Sequence, residues 1–250
     1  MEALMLAAGI GDRLGDSVDG RPKVLMQFGC ATLLSRHIAN LRAAGLDRLT
    51  VVTGHHRAMI KDEIDRIGAR DFARIVFNPD YREGSMVSMH VGLSALDHAE
   101  PILFMDGDVL YDRRMIDRLV GPGCDNRFLL DRDFAPGDEA VKLCLSGGRF
   151  VEFRKKVDVE FDLWGESVGF FRFAPNIARA LRARCEVYLA EGRRLEPYEE
   201  VIRDVLLAAE DGVFGYEDVT GLPWIEIDFP DDIRRAEVEI LPRLGEGDAP

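Results

Sequence analysis

Two rhythms alternate along the first hundred or so residues. Residues 3–6 form a short run with no polar side chain, as a central parallel strand requires. Residues 33–44 carry apolar side chains at Leu34, Ile38 and Leu41, three or four apart, with Gly45 as a stop, which predicts a helix. Residues 49–53 are rich in β-branched side chains and bounded by Gly54, so they predict a strand. The pattern continues with a helix over 59–67 ended by Gly68 and a strand over 74–77. A helix over 85–96 follows, with Ser85 as its N-cap, and then an apolar strand over 101–105 that stops at Asp106-Gly107-Asp108. This alternation predicts an α/β fold: a doubly wound, mostly parallel (mixed) sheet with helices on both faces, Rossmann-like in kind.

The second half is less regular. Residues 140–145 and 149–154 flank Ser146-Gly147-Gly148, a hairpin signature. A strand is predicted over 167–173, helices over 176–189 and 199–208, and a last short strand over 224–227. Pro230 suits the first turn of a closing helix running to Ile240, and residues 245–250 read as a frayed tail. There is no internal repeat, low-complexity linker or break in composition, which predicts one domain over 1–250.

Composition narrows the function. The 250 residues are 47% hydrophobic and 31% charged, ordinary for a globular chain and too apolar for a disordered one. The net charge of −13 argues against non-specific nucleic-acid binding. No stretch approaches the roughly 18 apolar residues of a membrane helix. The first apolar run lacks a basic segment before it and leads into a glycine loop, so it reads as a strand rather than a signal peptide. Cys30, Cys124, Cys144 and Cys185 are scattered without ligand spacing, as expected of reduced thiols in a cytoplasmic protein.

Three segments carry chemistry. The first is Leu6-Ala7-Ala8-Gly9-Ile10-Gly11-Asp12-Arg13-Leu14-Gly15, followed by Arg21-Pro22-Lys23. Small residues after a strand let backbone amides approach an anion closely, while Arg13 and Lys23 add a planar fork and a mobile point charge. The spacing is neither the dinucleotide GxGxxG nor a P-loop. The second is Asp106-Gly107-Asp108 at a strand end, where alternation lets both carboxylates face one spot and hard oxygens suit Mg²⁺. The third is Trp224-Ile225-Glu226-Ile227-Asp228-Phe229-Pro230, in which Asp228 reads either as a helix N-cap or as a further metal ligand.

Together these residues resemble the nucleotidyltransferases of GT-A-like fold, the MobA-like NTP transferases. The segments Gly165-Glu166-Ser167 and Pro197-Tyr198-Glu199 look most like the CTP:phosphocholine cytidylyltransferase branch. The resemblance implies a Mg²⁺-dependent cytidylyltransferase. It would move CMP from CTP to a small phosphorylated alcohol or phosphonate, such as phosphocholine, 2-aminoethylphosphonate or inositol 1-phosphate, and release pyrophosphate. A sugar-1-phosphate uridylyl- or guanylyltransferase and a catalytically silent nucleotide binder are the alternatives. By the same resemblance Arg13 and Lys23 serve catalysis, and Asp108 and Asp228 hold the metal. Leu6, Ala7, Ala8, Gly9, Gly11, Asn78, Gly84, Ser85, Ser88 and Asp106 surround the nucleotide. Trp164, Glu166, Glu196, Tyr198 and Glu199 receive the acceptor, the two rings offering faces to a cation. Asp12, an acid beside a phosphate loop, is expected to point outward. The halves then divide as nucleotide-binding (about 1–135), acceptor-side (about 136–222) and a returning metal-ligand strand with its helix (223–241). Neither the acceptor nor the oligomeric state is legible.

Overall fold

The structure is a computed structural model that describes residues 1–11, 13–15, 20–133 and 140–245. In chain order its strands and helices are β1 (Glu2–Ala7), β2 (Gln27–Phe28), β3 (Ala31–Thr32), α1 (Leu33–Ala43), β4 (Arg48–Thr53), α2 (Arg57–Arg66) and β5 (Ala73–Phe77). Next come α3 (Ser85–Ser94), β6 (Ile102–Asp106), β7 (Val109–Tyr111), α4 (Arg114–Val120), β8 (Asn126–Asp131), β9 (Lys142–Ser146), β10 (Arg149–Arg154) and β11 (Leu163–Phe173). The last are α5 (Pro175–Ala190), α6 (Tyr198–Ala208), β12 (Phe214–Asp218), β13 (Trp224–Glu226) and α7 (Pro230–Arg235).

The predicted parallel core is present. Strands β6, β1, β4 and β5 lie side by side and parallel, β1 at the centre with Leu6 opposite both Val52 and Asp106. Beyond β6 the sheet turns antiparallel, in the order β10-β9-β11-β6, with β8 attached at β11 and β12 lying parallel to β8. The sheet is therefore mixed. Strand β11 starts at Leu163, earlier than predicted, because its first four residues pair with β9 and its last four with β6. Strands β2, β3, β7, β8 and β12 were not predicted.

Helices cover both faces. One core gathers Leu4, Val52 and Phe104 of the sheet with Met89 of α3, Leu181 of α5 and Ile202 of α6. The opposite core gathers Met5, Val51 and Met105 with Leu34, Ile38 and Leu41 of α1, Ile60 of α2 and Ile116 of α4. Thr32 caps α1, its hydroxyl accepting the Ser35 N–H at 3.1 Å. The predicted cap of α3 moves back one residue: Gly84 is the N-cap. The closing helix holds α-geometry only over α7 and continues as a π-turn, Ala236–Ile240. A third, smaller core packs Ile227 and Ile240 on Leu14, Phe28 and Leu110, and so joins the chain's last helix to its first loop. The expected fraying over 246–250 lies outside the described residues.

Candidate active site

Beyond the carboxyl ends of the parallel strands, where open α/β sheets bind ligands, lies a cleft of about 500 Å³. Leu6, Ala7, Gly9, Gly11, Arg13 and Lys23 line one side of it. Ala8 does not; it sits beneath the loop, 4% exposed, its carbonyl facing the His55 N–H at 3.4 Å. Asp12, expected to point outward, lies outside the described residues.

Opposite the loop stand the carboxylates. Strand β13 pairs antiparallel with β7, placing Glu226 against Val109, and the Ile227 N–H donates to the Asp108 carbonyl at 3.0 Å. That pairing brings together two segments about 120 residues apart in the chain. Asp108, Glu226 and Asp228 each offer an oxygen within 4.8 Å of the others. Lys23 Nζ lies between two of them, 2.9 Å from Asp108 Oδ2 and 2.6 Å from Asp228 Oδ1, and Arg13 reaches Asp228 at 3.3 Å. Burial works against the Lys23 charge, but the two carboxylates outweigh it and raise its pKa. The protein packed around Glu226, then the charges of Asp108 and Asp228, push that carboxyl well above its ordinary range, although the residue is exposed. Asp228 is not the N-cap of α7. Phe229 holds that position, and Asp232 in the first turn of the helix accepts the N–H groups of Asp228 and Phe229 at 3.1 and 2.8 Å. The Asp228 carboxylate is thereby left to the cleft. Three hard oxygen donors with an ammonium as counter-ion fit a Mg²⁺ site.

Asp106 departs from expectation. The Gly107 turn sends it away from Asp108 into a second, smaller cavity, where the Tyr198 hydroxyl donates to it at 2.5 Å. Burial first, then the charges of Asp108 and Glu226, raise its pKa well above the usual range.

The segment 78–88 is corrected more broadly. Asn78 is fully buried, donating to Ser88 Oγ at 3.0 Å and accepting the Asp80 N–H at 2.9 Å. Ser85 Oγ accepts the Tyr198 N–H at 2.9 Å and so serves α6. Gly84 lies so close to Glu196 that a Cβ there would stand 2.2 Å from its carbonyl oxygen. These four residues face the protein and brace the turn between them. The residues of that turn that line the cleft are Tyr81, Arg82 and Glu83, which the motif reading passed over. Their place between a buried Asx-turn and a glycine was the available signal.

The acceptor candidates divide. Glu166, Tyr198 and Glu199 line the second cavity, of about 40 Å³, with Asp106, Glu226 and Lys155. Burial and then the Asp131 charge push Glu166 up to about 7. Burial also raises Glu199, whose Oε2 has no hydrogen-bond partner among the described residues. The Tyr198 ring offers no face to a ligand. It is 5% exposed and packs edge-on to Phe104 at 5.0 Å, leaving only its hydroxyl for the cavity. Trp164 packs against Phe161 at 5.6 Å, and Glu196 is held by Arg193 at 3.3 Å; neither lines this cavity.

A mixed sheet with its glycine loop, lysine and carboxylates at the parallel strands' carboxyl edge is the Rossmann-like nucleotidyltransferase fold. Residues 3–125 match the family model of the MobA-like NTP transferase domain. The chain is 31% identical over 244 residues to a bifunctional IPC transferase and DIPP synthase of Rubrobacter xylanophilus, covering 96% of this chain and 52% of that protein. It thus spans about half the length of that relative. It is 22% identical over 259 residues to the CTP:phosphoglutamine cytidylyltransferase of Campylobacter jejuni, covering 96% of this chain and 99% of that one. The inositol-1-phosphate CTP transferase from T. maritima superposes with a TM-score of 0.79 at 20% identity over 100% of this chain and 98% of its own. Among the described residues no helix is long and apolar enough to cross a membrane.

Proposed function

We propose that this protein is a cytidylyltransferase that moves CMP from CTP to a small phosphate- or phosphonate-bearing acceptor and releases pyrophosphate. The observation that carries the reading is Lys23 bridging Asp108 and Asp228 across from the glycine loop. A triphosphate entering the cleft meets loop amides, Arg13 and Lys23 on one wall. Lys23 is already desolvated and charged, so it is poised to follow the anion and offset charge on the leaving pyrophosphate. Asp108, Asp228 and Glu226 would hold Mg²⁺, which when bound supplies positive charge for the phosphate oxygens. No residue need form a covalent bond; alignment of the acceptor oxygen with the α-phosphorus is the protein's contribution. The relatives differ in acceptor by name, phosphoglutamine in one and inositol 1-phosphate in another, while CTP recurs.

The cavity of Glu166, Glu199 and Asp106 suits the acceptor's far end. Crowded carboxylates and 40 Å³ of space favour a compact ammonium or hydroxyl donor over a trimethylammonium group, which would also need ring faces that Tyr198 does not offer. We read the chain as one functional unit whose second half supplies this cavity. Its four cysteines are free, in keeping with a cytoplasmic setting. The test is pyrophosphate release by Asp108→Asn and Asp228→Asn. Each should fall by orders of magnitude with the fold intact, and wild-type rates in either variant refute the reading.

A further inference from the structure

Helix α1 buries a polar side chain where its pattern calls for an apolar one. His37 is 1% exposed, next to Ile38 and one turn from Leu34 and Leu41. Its Nε2 lies 3.0 Å from the Gly107 carbonyl oxygen. A carbonyl only accepts, so Nε2 carries the proton and donates. Nδ1 is then a bare acceptor, facing the Tyr111 hydroxyl at 3.4 Å. The ring is held between Tyr111 and Phe170, with centroids 5.3 and 6.5 Å away.

Gly107 is the turn between Asp106 and the candidate ligand Asp108. Its N–H donates to the Leu6 carbonyl at 3.0 Å, and a Cβ would stand 2.8 Å from that oxygen, so only glycine fits. Its carbonyl belongs to His37. The next carbonyl, that of Asp108, accepts from Ile227 in the segment that carries Asp228. Both carbonyls flanking the Asp108 Cα are therefore occupied, and its carboxylate can be re-aimed only about its own side-chain bonds. Removing the His37 donor leaves a buried carbonyl unpaired and frees the turn to rotate toward another partner.

We propose that His37 is a positioning residue. By holding the Gly107 carbonyl it keeps the Asp108 carboxylate within reach of Glu226 and Asp228, and so sets the affinity of that trio for a divalent cation. This rests on the reading of the trio as a cation site and not on the choice of nucleotide. Groups that orient metal ligands from behind typically change metal affinity by about 10- to 100-fold when lost.

The experiment measures Mn²⁺ binding to the purified protein without nucleotide, by the loss of the free-ion resonance in electron paramagnetic spectra. His37→Leu, apolar and of similar bulk, should weaken binding about tenfold. His37→Gln, which places an N–H at about the reach of Nε2, should restore most of it. If the leucine variant does not fold, His37→Asn, with a shorter amide arm, takes its place in the comparison. A leucine variant that binds Mn²⁺ like wild type overturns the inference, as does a glutamine variant no better than leucine. Wild-type protein that binds no Mn²⁺ overturns the cation-site reading, and this inference with it.

Discussion

Replacing Lys23 by methionine removes one charge from the centre of the site and keeps most of the side chain's length. The Lys23 side chain is 17% exposed, and those of its partners Asp108 and Asp228 are 23% and 21% exposed. Exposed ion pairs contribute about 0–1 kcal/mol, whereas removing one partner of a buried pair costs about 3–5 kcal/mol. A trio about four-fifths buried falls between, at about 2–3 kcal/mol. For a chain of this length each kcal/mol moves Tm by about 2–4 °C, so the variant should melt about 5–10 °C lower in EDTA at neutral pH. Excess Mg²⁺ should recover more than half of that gap, because the cation takes the charge-balancing place that the lysine held. Acidification should narrow it too: the surroundings of Glu226 raise its pKa, so it takes up a proton above the ordinary carboxylate range, and that relieves the carboxylate crowding. Differential scanning fluorimetry in EDTA, in Mg²⁺ and across pH reads all three. Pyrophosphate release from CTP should fall by about 10²–10³-fold, the scale of one lost electrostatic donor. An unchanged Tm in EDTA, or a gap that Mg²⁺ leaves untouched, refutes the argument.

Glu166→Gln should raise Tm at pH 8 and leave it nearly unchanged at pH 5. The folded carboxyl titrates at about 7, above its ordinary value of 4.5, so its ionised form destabilises the fold as pH rises through that window. With an amine-bearing acceptor, wild-type KM should fall as pH rises through about 7, and the glutamine variant should lose that dependence; a parallel profile in both proteins contradicts the assignment. Tyr198→Ala should destabilise by about 3–5 kcal/mol in denaturant titrations, because its ring is core, while Tyr198→Phe should keep most of the stability and change the acceptor KM. A stable alanine variant would show that the ring is not core.

Much of the sheet was written in local pattern. Residues 3–6 and 101–105 are apolar runs and 49–53 a β-branched one, all at parallel-strand length, and they became β1, β6 and β4. What local pattern does not carry is long-range pairing. Strand β12 lies parallel to β8, some 88 residues earlier, and β11 runs antiparallel between β6 and β9. The site divides the same way. The glycine loop, Asp108 and Asp228 are readable because each follows a strand end, where ligands bind, and Lys23 because it stands in an Arg-Pro-Lys segment shortly after that loop. Glu226 shares a strand face with Asp228, and the structure adds it to the carboxylate group. Tyr198 carries an aromatic ring that suits a core and a ligand equally, and only packing decides between them. His37 was passed over because a lone polar residue on an apolar helix face says nothing of its partner until α1 is laid against the Gly107 turn.

The central claim is that this cleft transfers CMP. The most direct measurement is pyrophosphate release by the purified wild-type protein with CTP, UTP, GTP or ATP. Each is crossed with 2-aminoethylphosphonate, phosphocholine, inositol 1-phosphate and glucose 1-phosphate, with mass spectrometry of the nucleotide product. The account predicts turnover with CTP, dependent on both Mg²⁺ and an acceptor, yielding a CMP adduct, with phosphocholine poorer than an acceptor bearing a primary ammonium or hydroxyl. Turnover with UTP or GTP and a sugar phosphate but not CTP, or no pyrophosphate release with any pair, would contradict it.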